Sequence, residues 1–188
     1  MLKFVTDSQI YEAVLGGPVP KTRRQLWLAT ADLKDLHVPK AGRMVPFLEV
    51  LSDLIAANVE VRLLHAKEPG PAFRRDFDRY PNLIGGLERM LCPRVHLKCI
   101  VVDGRFAYIG SANLTGAGLG TKSPGRRNFE SGIVTTDTAL VEQVMDQFDR
   151  IWRGSHCREC GRKEFCDEHV DILSAVGSAG SGKRGGCD

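Results

Sequence analysis

The chain has 188 residues, of which 43% are hydrophobic, and a formal net charge of +3. This length suits one ordinary domain with a sizeable core and a small appendage, and so small a charge does not prove a nucleic-acid partner. The first residues contain no apolar run ending in a cleavage site, and no run reaches the roughly 20 apolar residues needed to cross a bilayer. We therefore expect a soluble, cytoplasmic protein without stable membrane association.

The apolar pattern predicts alternating helices and strands. In chain order we expect a helix over 7–15, a strand over 25–31, a helix over 44–57, a strand over 59–65, a broken helix over 72–91, two strands within 95–113, a strand over 131–135 and a helix over 138–152. The order predicts an α/β fold with a mixed β-sheet flanked by helices.

The two strands within 95–113 are joined by Asp103-Gly104, a pair typical of a two-residue hairpin turn. In the register that such a turn imposes, His96 faces Ser111. Because side chains alternate between the faces of a strand, one face would present the polar residues Arg94, His96, Lys98, Ser111 and Asn113. A histidine, a cation, a hydroxyl and an amide in one place are suited to a phosphate group.

Phosphodiester hydrolysis needs a nucleophile, donors for the non-bridging oxygens and an acid for the leaving alkoxide. The imidazole of His96 can attack phosphorus to give a phosphoramidate, while Lys98, Ser111 and Asn113 can stabilise charge on the oxygens. The alternative is a polar sheet face that meets solvent, which an isolated H-x-K pattern would favour. The hairpin and the G-S-x-N turn after it favour the chemical interpretation.

The spacing of these residues resembles the H-x-K-x(4)-D-x(6)-G-S-x-N signature of the phospholipase D superfamily, here His96-Leu97-Lys98, Asp103 and Gly110-Ser111-Ala112-Asn113. In order and length the resemblance covers about residues 25–152. Asn128-Phe129-Glu130 also resembles the segment where single-motif bacterial nucleases of the family carry an acidic residue. The resemblance implies a phosphodiesterase with a phospholipase D-like catalytic domain over residues 1–152.

The resemblance also implies a role for each matching residue. His96 would be the nucleophile that forms a phosphohistidine, and Lys98 and Asn113 would bind phosphate oxygens. Ser111 would support that site, and Glu130 would hydrogen-bond the imidazole of His96. The structural members of the motif would be Gly110 and Asp103, the latter at the hairpin tip and away from the nucleophile.

One motif supplies half of such a site, because a second histidine must protonate the leaving group and then activate water. Single-motif members of the family dimerise, so the resemblance implies a homodimer in which two His96 side chains flank one phosphate. His65-Ala66-Lys67 also reads H-x-K, but no aligned Asp or G-S-x-N follows, and we interpret it as incidental. The implied mechanism needs no cofactor, and no H-E-x-x-H motif argues otherwise.

A cluster of potential metal ligands follows the last predicted helix: Cys157, Cys160, Cys166 and His169. Three thiolates and one imidazole can close a structural zinc site, so we expect a Cys/His zinc knuckle over residues 153–173 that folds around its metal. The fourth ligand could instead be His156 or a cysteine of another chain, and the alternative to zinc is a redox-active or unligated set. Residues 174–188 predict a disordered tail.

These features favour a nuclease acting on DNA or RNA over two alternatives. A lipid phosphodiesterase would call for an amphipathic helix with a basic face, which the sequence does not show. A nucleic-acid-binding module without turnover is disfavoured because all the motif residues are present. Lys122, Arg126 and Arg127 are expected to contact a polyanion, with solvated surface as the alternative. Stand-alone bacterial proteins of this kind often resemble antiviral defence components, the context we expect.

Overall fold

The structure is a computed structural model that describes residues 1–34 and 36–166. In chain order these residues form β1 (Leu2–Thr6), α1 (Ser8–Val14), β2 (Gln25–Thr30), β3 (His37–Lys40), β4 (Arg43–Pro46), α2 (Phe47–Ala56), β5 (Glu60–His65), α3 (Pro71–Phe77), α4 (Asn82–Gly86), β6 (Leu87–Leu91), β7 (Cys99–Val102), β8 (Phe106–Gly110), β9 (Ser131–Thr135) and α5 (Thr138–Trp152). Short 3-10 helices occur at Val19–Lys21, Pro124–Arg126 and Lys163–Phe165. Within the described ranges, none of the helices has the length and apolarity to cross a membrane.

Seven strands form one mixed sheet in the order β1-β9-β8-β7-β2-β5-β6, and β3 pairs with β4 in a separate hairpin. The neighbours β2, β5 and β6 are parallel, whereas the pairs from β1 to β2 across the sheet are antiparallel. The prediction of a mixed sheet flanked by helices is confirmed.

Each face of the sheet carries its own apolar cluster. On one face, side chains such as Leu28 and Ile100 pack with α1, α2, α3 and α4. On the other face, α5 covers Trp27 and Val101, and the Trp27 and Phe148 rings stack with their centroids 5.0 Å apart. The central strands β2 and β7 are therefore buried on both sides and rigidly support the residues at their ends.

Strong periodicity predicted the bounds of α5 and β9, whereas the broken helix expected over 72–91 is helical only as far as Gly86, and the prediction is wrong for 87–91. The region forms the short helices α3 and α4 and then β6, the parallel neighbour of β5 at the sheet edge. Pairing with an existing strand can override a five-residue segment's local preference. The strands β1 and β3 had no prediction, and the helix expected over 44–57 begins only at Phe47, because its first residues belong to β4.

The hairpin of β7 and β8 has a three-residue loop instead of the predicted two-residue turn. Val102 pairs with Phe106, so the loop contains Asp103, Gly104 and Arg105. Asp103 and Gly104 have φ values of 53° and 64°, the left-handed conformation that an Asp-Gly pair accommodates.

The extra loop residue shifts the register and makes the predicted facing of His96 and Ser111 wrong. The backbone N–H of Gly110 donates to the carbonyl of Lys98 at 3.1 Å, so Lys98 lies opposite Gly110. His96 and Lys98 also precede β7 and lie in irregular backbone. The polar groups therefore gather at the end of the hairpin and not along a flat sheet face.

A row of apolar side chains crosses the antiparallel half of the sheet and stays exposed. Phe4 pairs with Ile133, which pairs with Ile109. Their exposed fractions are 65%, 40% and 41%, respectively. In the next strand, Cys99 lies opposite Ile109 and is buried in the cluster under α5. The exposed row thus continues the face that α5 covers only in part.

Candidate active site at the end of the hairpin

Ser111 and Glu130 form the closest polar contact of the site: the Ser111 hydroxyl donates a short hydrogen bond to Glu130 Oε2. Ser111 Oγ also accepts the backbone N–H of Ser131 at 3.1 Å. The other carboxylate oxygen of Glu130 accepts a hydrogen bond from Asn128 Nδ2 at 3.0 Å. Both carboxylate oxygens are thus engaged by neighbours other than His96.

Lys98 interacts both with His96, the candidate nucleophile, and with Glu130 of the Ser111–Glu130 pair. Its Nζ donates to the backbone carbonyl of His96 at 2.9 Å. Burial lowers the pKa of the Lys98 ammonium, and attraction to the Glu130 carboxylate opposes that shift without cancelling it. The His96 side chain is exposed, so a ligand in solvent can reach its imidazole beside a cation.

The Asn113 amide is oriented by the end of β2. Its Oδ1 accepts hydrogen bonds from the Asp32 N–H at 3.1 Å and from the Thr30 hydroxyl at 3.3 Å. Because the carbonyl end of the amide is engaged within the protein, its Nδ2 is the end that can donate to a phosphate oxygen. Thr30 Oγ1 also accepts the N–H of Leu114 at 3.0 Å, which holds the backbone that follows Asn113.

Asp7 fixes the backbone of Glu130 through a reciprocal pair of hydrogen bonds. The Glu130 N–H donates to Asp7 Oδ1 at 2.9 Å, and the Asp7 N–H donates to the Glu130 carbonyl at 3.0 Å. Asp7 has a φ of 47°, a conformation unfavourable for a residue with a side chain. The two bonds offset that cost and set the position from which Glu130 reaches Ser111.

Sequence reasoning missed three residues that support the site: Asp7, Thr30 and Asp32. They belong to no motif, because they act on backbone groups or on another side chain and not on a ligand. The signal available was their position, at the end of a strand or within two residues after it, where polar residues often serve a site.

Asp103, a member of the signature, lies at the opposite end of the hairpin. Its carboxylate accepts backbone N–H groups of Arg23, Arg24 and Gln25 at 2.7 to 3.1 Å. These contacts tie the hairpin tip to the start of β2, a structural set of interactions remote from the hairpin end that carries Ser111.

Gly110 lies where β8 passes close to β9 and to a buried ring. A Cβ placed on Gly110 would lie 2.5 Å from the Ser131 carbonyl oxygen and closer still to the Tyr108 hydroxyl. Tyr108 is 1% exposed, so its ring has little room to move. The glycine of G-S-x-N therefore allows the close approach that brings Ser111 to the Ser131 backbone.

The three basic residues predicted to bind substrate lie on the long loop between β8 and β9. Lys122 and Arg126 are exposed, whereas Arg127 is half-buried and its Nε donates to the Lys122 carbonyl at 2.5 Å. The same loop leads to Phe129, whose side chain is 99% exposed directly before Glu130. Two exposed cations and one exposed aromatic ring thus lie on the segment that ends at the site.

His65, the other H-x-K histidine, is enclosed in the core with 1% exposure. Its Nδ1 lies 2.9 Å from the Lys67 carbonyl oxygen, and since a carbonyl oxygen can only accept, Nδ1 carries the proton. An imidazole in this position cannot meet a phosphodiester that arrives from solvent.

The expected metal ligands Cys157, Cys160 and Cys166 line a cavity of about 500 Å³ between the end of α5 and residues 90–95, as does His156. Over residues 1–34 and 36–166, no group of three or more His, Cys, Asp or Glu side chains is already arranged to hold a metal ion. The expected ligand His169 lies outside the described residues, as do residues 167–173 of the expected knuckle and the expected tail, 174–188. The zinc knuckle stays a prediction.

Comparisons with known proteins identify the family and the fold of this chain. The family model for the cardiolipin synthase PLD-like domain matches residues 21–152. Among solved structures, Nuc, a phospholipase D family member from Salmonella typhimurium, superposes with a TM-score of 0.59 at 15% identity, covering 81% of this chain and 95% of Nuc. NucT from Helicobacter pylori gives 0.58 at 13% identity, covering 81% of this chain and 97% of NucT.

TrmBL2, an archaeal chromatin protein, superposes with a TM-score of 0.56 at 13% identity over 81% of this chain and 52% of its own. No curated protein sequence matches the chain. The structural likenesses show a shared fold, and the matched range 21–152 contains all the motif residues from His96 to Glu130. The chain belongs to the phospholipase D superfamily.

Proposed function

We propose that this protein is a phosphodiesterase that cleaves nucleic acid through a phosphohistidine formed on His96. The observation that carries the proposal is the arrangement at the end of the hairpin, where an exposed His96 lies beside Lys98, and Lys98 beside the Ser111–Glu130 pair. A nucleophile, a cation and a bonded hydroxyl–carboxylate pair in one place can bind and attack a phosphodiester.

In the first step, a neutral ring nitrogen of His96 attacks phosphorus and the bond to the leaving oxygen breaks. The Lys98 ammonium and Asn113 Nδ2 donate hydrogen bonds to the non-bridging oxygens, where negative charge develops. The leaving oxygen takes a proton from a second histidine. In the next step that histidine removes a proton from water, which attacks the phosphohistidine and releases His96.

Glu130 is a positioning residue in this mechanism. It holds Ser111 by a hydrogen bond and is itself held by Asp7 through the backbone. When a phosphate draws Lys98 away from the carbonyl of His96, we expect the carboxylate to accept the remaining N–H of the imidazole and so set its tautomer. The carboxylate would then stabilise the positive charge that His96 carries after attack.

The second histidine comes from a second copy of the chain. His65 is enclosed in the core, so it is not available for this role. The exposed apolar row of Phe4, Ile133 and Ile109 supports a self-association surface, since it crosses β1, β9 and β8 and lies two residues from Ser131 and Ser111 along their strands. A two-fold dimer would bring two equal half-sites together.

Nucleic acid is the favoured substrate because of the loop before Glu130. An exposed aromatic ring beside exposed cations is the combination that holds single-stranded nucleic acid, with bases stacked on the ring and phosphates near the cations. Phe129, Lys122 and Arg126 supply an exposed ring and two exposed cations on the same loop. The structurally similar TrmBL2 is described as binding DNA in a novel mode, which supports the same class of ligand.

The test is cleavage of labelled single- and double-stranded DNA and RNA in excess chelator after a short preincubation. We expect the unmodified chain and His37→Ala to cleave, and His96→Ala and Lys98→Ala to lose cleavage while remaining folded by circular dichroism. Binding of every nucleic acid without cleavage would replace the enzyme by a binding module. If no nucleic acid binds and a phospholipid is hydrolysed, the substrate assignment is wrong.

Substitution of Phe129 by leucine tests the substrate class separately. Leucine keeps an apolar side chain but cannot stack on a base, and stacking contributes about 1–3 kcal/mol per base. We therefore expect Phe129→Leu to weaken binding of single-stranded DNA about tenfold in a fluorescence titration and to leave the melting temperature unchanged. Equal affinity in both proteins would remove the ring from the nucleic-acid path.

A further inference from the structure

The edge of the sheet beside which His96 lies is also the edge at which β6 ends. β7 runs antiparallel to β2, so the start of β7 lies beside the end of β2. β5 and β6 run parallel to β2, and the three strands end in register at Thr30, His65 and Leu91. The residues that directly follow β6 therefore lie at the same edge of the sheet as the proposed active site.

The strand order places two basic segments on opposite sides of β7 along this edge. β8 and β9 lie on one side, and the loop between them carries Lys122 and Arg126. β2, β5 and β6 lie on the other side, and Arg94 follows the last residue of β6 by three positions. Neighbouring strands are about 4.8 Å apart, so β6 ends about 14 Å from the start of β7.

Two cations of the segment after α5 join Arg94 on the β6 side. Arg162 Nη1 donates to the Pro93 carbonyl at 3.5 Å, which places its guanidinium against the backbone next to Arg94. The backbone N–H of Arg162 is the main cause of a lowered pKa at the Cys160 thiol, and the side chains of Arg94 and Lys163 contribute to that shift. Arg94, Arg162 and Lys163 therefore form one group around Cys160, the basic cluster.

The basic cluster presents three positive charges to solvent without a carboxylate partner. All three side chains are exposed. Ion pairs engage other lysines and arginines of the surface, but within the ranges 1–34 and 36–166 none of them includes a member of the cluster. Like charges held close together repel one another, and an anion bound among them relieves that repulsion.

An exposed aromatic ring accompanies the basic cluster. Phe165 follows Lys163 by two residues in the same short 3-10 helix and is 65% exposed. A ring beside cations holds single-stranded nucleic acid by stacking on bases while the cations meet phosphates. The loop before Glu130 offers the same two kinds of group, so similar chemistry flanks the site on both sides.

We propose that the basic cluster binds the phosphates that follow the one at His96, so that a nucleic-acid strand crosses the end of the sheet from the loop before Glu130 to β6. This inference rests on the proposed function and adds the path of the strand to it. Arg94 lies two residues before His96, and two residues of chain span at most about 7 Å. One nucleotide of an extended strand spans a comparable distance, so the Arg94 guanidinium can reach the phosphate next to the scissile one.

The test is binding of a labelled oligothymidylate to the full chain, measured by fluorescence anisotropy over a salt series in the His96→Ala background, which prevents cleavage. We expect Arg94→Gln and Lys163→Gln each to weaken binding about threefold at low salt. Each should also reduce the slope of log affinity against log salt by about 0.7, the value for one phosphate contact with a single strand.

Two further variants separate the contributions of charge and stacking. Phe165→Leu should weaken binding about tenfold with little change in the salt slope, because the ring stacks without carrying charge. Arg105→Gln is the control for charge: it removes an exposed arginine at the opposite end of the hairpin, so affinity and slope should stay those of the His96→Ala reference.

Three outcomes would overturn the assignment. Equal affinity and slope in Arg94→Gln, Lys163→Gln and the reference would remove the cluster from the path of the strand and leave the proposed cleavage unaffected. A loss in Arg105→Gln as large as that in Arg94→Gln would mean that only the net charge of the chain matters. If the reference binds no nucleic acid at all, this inference fails together with the proposed substrate class.

Discussion

Gly110 shows how the site depends on a single missing side chain. Since a Cβ at this position would overlap the Ser131 carbonyl and the Tyr108 hydroxyl, Gly110→Ala should displace β8 from β9 and Ser111 with it. We expect a loss of about 1–3 kcal/mol in the free energy of urea-induced unfolding, accompanied by reduced cleavage.

The matched control for this substitution is Gly85→Ala, because a Cβ at Gly85 meets nothing within 4 Å. Gly85 lies in α4, where alanine is the better helix former, so the control should be neutral or slightly stabilising. Equal effects of the two substitutions would mean that the close approach at Gly110 does not matter.

Lys98 gives the site a pH dependence on the alkaline side. Its pKa is lowered from the ordinary lysine value mainly by burial, so its ammonium loses the proton at a lower pH than that of an exposed lysine. Affinity for phosphate should be full while Lys98 is charged and should fall as the pH rises through the lowered pKa.

The measurement is binding of an oligodeoxyadenylate at low salt across this pH range, in a His96→Ala background that prevents cleavage. An added Lys98→Arg substitution keeps a positive charge throughout, so its affinity should stay level where that of the lysine protein declines. Parallel curves for the two proteins would show that another group titrates.

The chemical types at the site could be predicted from the sequence, and their arrangement could not. The spacing of His96, Lys98 and the G-S-x-N turn along the sequence identifies them as candidate site residues. The register depended on whether the Asp-Gly turn has two or three residues, and both loops begin with the same local signal. The support of Glu130 by Asp7 joins residues 123 positions apart, which no local pattern encodes.

At the scale of elements, α5 is the one helix within residues 1–34 and 36–166 that covers the second face of the sheet. Its Phe148 is fully buried and stacks with Trp27 on one side and Trp152 on the other, at centroid distances of 5.0 and 5.7 Å. Phe148→Ala should lower the free energy of unfolding by about 3–5 kcal/mol in urea titrations, because it leaves a cavity between two rings.

The neighbouring exposed residue gives the control, since Gln147→Ala removes a side chain without opening the core. We expect that change to stay within about 0.5 kcal/mol. A small effect of Phe148→Ala would mean that the two tryptophans can close the gap by themselves.

The elements that were predicted well share strong periodicity and local start signals. In α5, apolar residues recur with helical spacing, and the Asp137 side chain caps the helix by accepting the Leu140 N–H at 3.1 Å. β6 has no such signal: its five residues become a strand because β5 offers an unpaired edge. Local sequence pattern thus determines the structure of a long element such as α5, whereas pairing with a neighbouring strand determines that of a short one such as β6.

At the scale of the whole molecule, the proposed dimer predicts how active and inactive chains combine. If each site needs two His96 side chains, mixed dimers with one His96→Ala chain are inactive. An equal mixture, allowed to exchange partners, should then retain about one quarter of the activity of the same total amount of unmodified chain. Independent sites would retain about one half.

The mixture with His37→Ala serves as the reference: since that variant should keep its own activity, the mixture should retain the full activity of the same total amount of unmodified chain. Sedimentation on the same samples gives the oligomeric state. A monomeric species with full activity would contradict the shared site and would require a second general acid within one chain.

The contact between Asp7, which directly follows β1, and Glu130 links an edge strand to the proposed active site. Among the described strands β1 pairs only with β9, and it exposes its first three residues, so we expect it to separate from the sheet more easily than the central strands. When β1 separates, Glu130 loses its backbone anchors although the core under α5 stays intact. The site should therefore lose its arrangement at a lower temperature than the one at which the fold unfolds. Activity lost on moderate warming should then return on cooling.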